Sequence, residues 1–134
     1  MSSPAVDALL FRLGPHRLAV ELHLVSSVLQ LAEARGMGQL DPRPHLLPTK
    51  ESSSRLPPAT DDQLVGLVDT AGPPIVLLLG EVLGAKSLTR QDLLYMPPWI
   101  ATGLPAILRP QCARIDDNVV WLLDLDTLTM NATS

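Results

Sequence analysis

Hydrophobic and polar side chains alternate at the start of the chain, in a pattern typical of paired β-strands. The alternation runs through Leu9–Leu13, stops at Gly14–His16, and resumes over Leu18–Leu22. A period of two indicates a strand with one buried side, and a Gly-Pro pair between two such runs indicates a turn. The pattern therefore predicts a β-hairpin with one apolar face.

The pattern changes after this hairpin. Apolar residues at spacings of three and four predict a single helical turn around His23–Val28, with Val25 and Val28 on one side. No period continues through Arg35–Thr60, where ten of the 26 residues are Pro, Gly or Ser. This composition predicts a long loop or a partly disordered excursion, which is unusual inside a compact domain.

Strand patterns return at residue 63. Leu64–Val68 and Ile75–Leu79 predict a second hairpin, joined by a turn at 69–73. Further predicted elements follow towards the C-terminus: an extended Ser87–Thr89, a helical turn at Arg90–Leu93, β segments at Leu104–Leu108 and Gln111–Ile115, a turn at Asp116–Asn118, a strand at Val119–Leu123, and a helical turn Thr127–Met130 capped by Asp126. Many short strands without a long amphipathic helix indicate an all-β barrel or sandwich, and two barrels of similar build are possible.

Charge and composition narrow the classes of function. Residues 1–60 carry six Lys/Arg against five Asp/Glu, and residues 61–134 carry four against nine, which gives about +1 and −5 and the net charge of −4. No basic stripe follows from this distribution, so binding to nucleic acid has little support. The apolar runs are far shorter than the ~20 residues of a membrane span. A soluble protein of the cytoplasm is expected.

Residues that could carry chemistry have simpler explanations. His16, His23 and His45 lack the spacing of metal ligands, and Asp124 and Asp126 fit a strand end followed by a helix cap. Cys112 is the only cysteine and is expected to be a small buried side chain. We therefore expect no enzyme, no cofactor and no metal site. An enzyme or a small-ligand barrel is kept as an alternative of a different class.

The second half of the chain contains a series of different short motifs in a definite order. Val68-Asp69 comes first, and the rest of the series is Leu79–Val82, Ser87–Leu93, Met96–Pro98, Gly103-Leu104 and Leu122–Leu128. In this order and spacing the series resembles the CheW family, the small coupling modules of bacterial chemosensory arrays. Near the N-terminus, Phe11–Gly14 and Val25–Val28 resemble the family's opening hairpin and its V-x-x-V turn.

The middle of the chain departs from the family pattern. Only Ala34–Gly36 and Leu40–Pro42 resemble the block that usually forms strands of the first barrel, and Gly80 stands where the family usually has Asp. The resemblance implies an all-β domain over residues 1–134 with two small, packed, SH3-like five-stranded barrels and short helical turns. We expect the first barrel to be incomplete and built from 1–34 and part of 35–60. The second barrel is expected at 61–125, and a C-terminal turn and tail at 126–134.

The resemblance also implies partners. Family members bind chemoreceptor tips and dock to the regulatory domain of the histidine kinase CheA, and shortened CheW-like proteins occur in the Frz systems of gliding bacteria. We expect a non-enzymatic adaptor that binds receptor tips, with kinase coupling weakened or absent; an ordinary coupling protein that bridges receptor and kinase is the alternative. Other CheW-like proteins are further candidate partners. The predicted receptor-binding residues are Val25, Val28, Leu29, Arg35, Val68 and Leu77, although Val25 and Val28 also fit as ordinary core residues.

Overall fold

The structure is a computed structural model that describes residues 6–14, 16–46, 60–68 and 72–133. Its strands are β1 Val6–Leu13, β2 His16–Glu21, β3 Val25–Gln30, β4 Gly38–Leu40, β5 Leu64–Val68, β6 Ile75–Leu88, β7 Leu93–Tyr95, β8 Leu108–Ile115 and β9 Asn118–Leu123. Its helices are α1 Arg43–Leu46, α2 Pro98–Ala101 and α3 Leu125–Thr133, with 3-10 helices at Leu22–Leu24 and Leu31–Ala34. The all-β prediction is confirmed.

The strands form two sheets that share β6. The first half of β6 pairs with β5 and with β4, and β5 also pairs with β3, so the first sheet has the order β3-β5-β6-β4. The second half of β6 begins the second sheet, of order β6-β1-β2-β9-β8-β7. The change of partner occurs at Gly80, whose φ of +73° lies in the left-handed region that favours glycine. A Cβ at Gly80 would come within 2.8 Å of the carbonyl oxygen of Arg12. These two constraints explain why a glycine stands at this position.

The β1-β2 hairpin is buried on both faces. Leu9, Phe11 and Leu13 point into the core beneath the first sheet, where α3 also packs. Ala8 and Leu10 lie on the opposite face and belong to a second core inside the second sheet. The expectation of a single apolar face was therefore wrong. The sequence pattern did not reveal the second buried face of β1, because alanine is small and gives little hydrophobic contrast along a strand.

Strand pairing groups the chain differently from the expected division at residues 34 and 61. The N-terminal hairpin belongs to the second sheet, where β2 pairs in parallel with β9. β5 and the first half of β6 belong to the first sheet. Each sheet therefore takes strands from both ends of the sequence. Among the described residues the first sheet has four strands. The incompleteness of the first barrel stays a prediction.

Two predictions around the middle of the chain need correction. The helical turn expected at His23–Val28 is a 3-10 helix over Leu22–Leu24, and the residues after it form β3. Arg35–Thr60 is not entirely loop, since it contains β4 and α1, and β4 pairs in parallel with the first half of β6. Three residues are too few for a strand period to be visible in a sequence. Residues 47–59 of this segment lie outside the described residues.

The second half follows the predicted elements with local changes. β5, the start of β6 and β9 lie where strands were expected, and Asp116 and Asp117 take positive φ values of 49° and 65° in the turn between β8 and β9. The expected strand at Leu104–Leu108 is wrong, because the chain turns there and β8 begins at Leu108. A helical turn was expected over Arg90–Leu93; the structure has a turn over residues 90–92, and Leu93 already begins β7, which was not predicted.

The C-terminal helix α3 begins at Leu125, two residues earlier than predicted. Its N-cap is Asp124, whose Oδ1 accepts a hydrogen bond from the backbone N–H of Thr127 at 3.2 Å. Asp126 was the predicted cap, but it lies within the first turn of the helix. Leu125 and Leu128 pack into the first core, so that the end of the chain covers part of the first sheet.

Candidate partner-binding surface

The six predicted receptor-binding residues divide into buried and exposed groups. Val25, Val68 and Leu77 are buried in the first core, and Val25 lies opposite Val68 in the β3-β5 ladder. Direct contact of a partner with these three side chains would require the core to rearrange, and their part in binding stays a prediction. Val28, Leu29 and Arg35 lie at or near the surface. For Val25 the competing interpretation, an ordinary core residue, describes the position better.

Val28 and Leu29 lie on β3, at the edge of the first sheet. The side chain of Val28 is 41% exposed, which is high for a large apolar residue on a strand. Leu29 is partly buried and packs against the first core. Both residues pair with β5, where Val28 lies opposite Gly66 and Leu29 opposite Val65. β3 therefore presents an uncharged strand edge to solvent, on which Val28 is the exposed apolar residue.

Arg35 follows the 3-10 helix after β3 and forms an exposed ion pair. Its Nη2 lies 2.8 Å from Oδ2 of Asp61, at the far end of the predicted loop. Two backbone hydrogen bonds connect the same two parts of the chain. The N–H of Leu31 donates to the carbonyl oxygen of Gln63, and the N–H of Ala32 donates to the carbonyl oxygen of Asp61. An exposed ion pair contributes little stability by itself. The three contacts together hold the two ends of the excursion side by side, next to β3.

A cleft at the open end of the second sheet was not predicted. It has a volume of about 520 Å³. The residues that line it are Asp7, Glu21, Leu22, His23, Leu93, Tyr95, Arg109, Gln111 and Leu122. Glu21 is its central charge, with Arg109 Nη1 at 2.5 Å and His23 Nε2 at 3.4 Å from its carboxylate oxygens. The cleft could accept a polar side chain or a small ligand, but its opposite charges are paired with each other.

Two aromatic side chains are largely exposed, and one of them, Tyr95, lines this cleft. Tyr95, on β7, is 66% exposed and Trp99, on α2, is 78% exposed. Sequence analysis missed both because the prolines at 97 and 98 marked the segment as a stop, without any sign of which way the aromatic rings face. Aromatic residues at a surface often take part in protein contacts.

Among the described residues, no group of three or more His, Cys, Asp or Glu side chains is arranged to hold a metal ion, and no buried side chain is polar or charged. Cys112 is buried, as predicted, and this burial raises the pKa of its thiol. A thiol with a raised pKa is a poor nucleophile at neutral pH.

No helix in the described part of the chain is both long enough and apolar enough to cross a lipid bilayer.

Comparison with known proteins identifies the fold. No protein-family model and no curated protein matches the chain. Among solved structures, the scaffolding protein TtCheW from Thermoanaerobacter tengcongensis matches with a TM-score of 0.67 and 14% sequence identity. The match covers 96% of this chain and 92% of that one. At this identity the likeness establishes the fold, and the chain has the fold of a CheW scaffolding protein.

Proposed function

We propose that this protein is a non-enzymatic adaptor of a bacterial chemosensory array, and that it binds the tip of a chemoreceptor. One observation carries the proposal: the likeness to a CheW scaffolding protein extends over 96% of the chain. The ordered motifs from Val68 to Leu128 support it independently, because they resemble the family in sequence as well as in shape. A cytoplasmic location belongs to the same proposal.

The receptor contact is assigned to the exposed part of the predicted set. Val28 supplies an exposed apolar side chain on β3, Leu29 beside it packs against the first core, and Arg35 supplies an exposed guanidinium group that is paired with Asp61. Receptor tips are helical hairpins, and apolar side chains on a firm surface are what a helix with an apolar face packs against. Val25, Val68 and Leu77 support this surface from below, as part of the core that holds β3 against β5.

Coupling to the CheA-type kinase is proposed to be weakened or absent. The family docks to the kinase through the barrels, and the first sheet here has four described strands, of which β4 is only three residues long. A smaller sheet offers less surface for such a contact. In this respect the chain is proposed to be similar to FrzB, a shortened CheW-like protein of the Frz systems, with a role in the control of motility.

The alternative proposal is an ordinary coupling protein that bridges receptor and kinase. In that case the segment between Arg35 and Thr60 contributes further strands once the kinase is bound. Hydrogen exchange over these residues, with and without the kinase regulatory domain, separates the two proposals. Protection that appears only with the kinase favours the ordinary coupling protein.

The direct test is a binding measurement with three purified proteins: this chain, a receptor tip fragment and the kinase regulatory domain. We expect binding to the receptor fragment and much weaker binding to the kinase. Val28→Glu should lower receptor affinity by about tenfold or more, because a buried unpaired charge costs over 1.4 kcal/mol. Leu83→Glu is the control, since Leu83 is similarly exposed but lies on β6, away from β3. Strong kinase binding without receptor binding would overturn the proposal.

A further inference from the structure

β3 is a six-residue strand that pairs with β5 on one side only among the described residues. The other strands that end a sheet are β4 and β7, with three residues each, and the second half of β6, which carries the charged residues Glu81 and Lys86. Proteins protect such edges with charged residues, prolines or very short strands, because an open edge pairs readily with another chain. The sequence of β3, VSSVLQ, contains neither a charge nor a proline. The pairing of β3 with β5 is irregular between Val25 and Ser27, at the N-terminal end of β3.

The hydrogen-bonding groups that this edge offers can be assigned. The backbone N–H of Leu31 donates to the oxygen of Gln63, directly beyond the last pair of the β3-β5 ladder. Residues of an antiparallel strand bond alternately to one side and to the other. Leu29 therefore bonds towards β5, and the N–H and C=O groups of Val28 and Gln30 face away from it, towards solvent.

We propose that β3 pairs with β3 of a second copy of this chain, in an antiparallel register centred on Val28. An interface with twofold symmetry must be complementary to itself. In this register the exposed Val28 lies opposite Val28 of the other copy, and the polar Gln30 lies opposite the polar Ser26. No charged residue meets its own copy, because β3 carries none. The two first sheets then join into one continuous sheet across the twofold axis.

This inference goes beyond the proposed function and has a consequence for it. The strand that pairs with a second copy carries Val28, which is also the proposed receptor contact. One β3 cannot serve both partners at the same time. Self-association therefore withdraws the receptor-binding surface, and receptor binding dissociates the pair.

Sedimentation velocity of the full chain, without receptor or kinase, tests the pairing. A single edge strand buries little area, so we expect a monomer–dimer equilibrium with a Kd on the order of 10–100 µM. Val28→Lys places like charges opposite each other and should raise this Kd at least tenfold. Val119→Lys is the control: Val119 is 48% exposed, but it lies on β9, opposite Arg114 of β8 and outside the proposed interface. A chain that stays monomeric up to about 500 µM, or a dimer that Val28→Lys leaves intact, overturns the proposal.

Crosslinking tests the register itself and does not depend on the lysine variant folding. Residues opposite each other in a hydrogen-bonded antiparallel pair have Cα atoms about 5.5 Å apart, within the range of a disulfide. Val28→Cys should therefore form a covalent dimer under mild oxidation, while Val119→Cys should not. The native Cys112 is buried and does not compete. If the two variants crosslink at equal rates, the register is wrong. Because these assays contain no receptor, their failure leaves the proposed function standing, and a failed receptor assay leaves the dimer standing.

Discussion

Val25 packs directly on the backbone of Gly66, across the β3-β5 ladder. A Cβ atom at Gly66 would lie 2.8 Å from Cγ1 of Val25 and 3.3 Å from Cδ1 of Leu79. Both neighbours are buried in the first core, where they have little room to move. The glycine therefore lets β3 lie close to β5 and holds Val25 in the core.

Gly66→Ala is expected to destabilise the protein by about 1–3 kcal/mol, because the added methyl group overpacks the core. Urea unfolding followed by circular dichroism measures this change. Gly72→Ala is the control, since a Cβ at Gly72 meets nothing within 4 Å. We expect the control to change stability by no more than about 0.5 kcal/mol. Equal effects of the two substitutions would show that the contact between Val25 and Gly66 does not limit packing.

Gly80→Ala tests the point where β6 passes from one sheet to the other. The substitution combines a positive φ with a contact of 2.8 Å to the backbone oxygen of Arg12, and backbone cannot move aside as a side chain can. We expect a loss of about 2–4 kcal/mol. Gly14→Ala has a similar φ, +62°, without any steric contact, and should cost only about 1 kcal/mol. The difference between the two variants in thermal or urea unfolding isolates the steric part.

The N-cap of α3 can be tested with two neighbouring aspartates. Asp124→Ala removes the acceptor for the N–H of Thr127 and should cost about 0.5–2 kcal/mol. Asp126→Ala removes only a carboxylate of the first turn, whose interaction with the helix dipole is worth less, about 0.3–1 kcal/mol. Unfolding midpoints of both variants should therefore rank Asp124→Ala as the more damaging. The reverse order would restore Asp126 as the cap.

Asp92 gives a dependence of stability on pH. Its carboxylate accepts hydrogen bonds from the backbone N–H of Thr89 at 2.9 Å and from Oγ1 of Thr89 at 3.1 Å, and these bonds lower its pKa below 3.8. A group whose pKa is lower in the folded state stabilises the protein above its unfolded pKa. The contribution is present above pH 3.8 and is lost as the pH falls through the folded pKa.

Asp92→Asn should therefore reduce the loss of stability between pH 5 and about pH 2. Unfolding curves at several pH values, compared with the unsubstituted protein, measure the effect. Thr89→Ala keeps the backbone donor, which is the larger cause of the lowered pKa, and should leave most of the pH dependence in place. If Asp92→Asn follows the same pH profile as the unsubstituted protein, the hydrogen bonds of Thr89 do not stabilise the carboxylate.

Local patterns predicted local structure well. The N-terminal hairpin, the β5-β6 hairpin, the turn at Asp116–Asn118 and strand β9 were all visible in the sequence, because turn residues and a period of two act within a few residues. The composition of short β elements, together with the motif series, was enough to predict the CheW-like fold.

What the sequence could not show depends on pairing between distant residues. The alternation of β1 indicated one buried side, but its second core comes from strands about 100 residues away along the chain. The continuation of β6 beyond Leu79 was hidden because Gly80 suggested a break, whereas its backbone angle only redirects the strand.

The candidate site was predicted in part. The V-x-x-V motif predicted that Val25–Val28 belongs to the site, but a motif does not indicate which valine faces the core. The structure buries Val25 over Gly66 and exposes Val28. The cleft around Glu21 and Arg109 was missed because it unites residues from separate strands, whose distance along the chain gives no signal.

The burial of the β1-β2 hairpin on both faces has a consequence for how this chain can vary in length. The β1-β2 hairpin contributes side chains to both cores. An insertion or a deletion in the hairpin would displace side chains in both of them, so changes of length are not tolerated there. The excursion after Arg35 returns to the fold next to Asp61, but β4 within it pairs with β6, and Leu40 of β4 is buried in the first core. A change of length in this excursion therefore preserves the architecture only where it leaves β4 and its pairing intact.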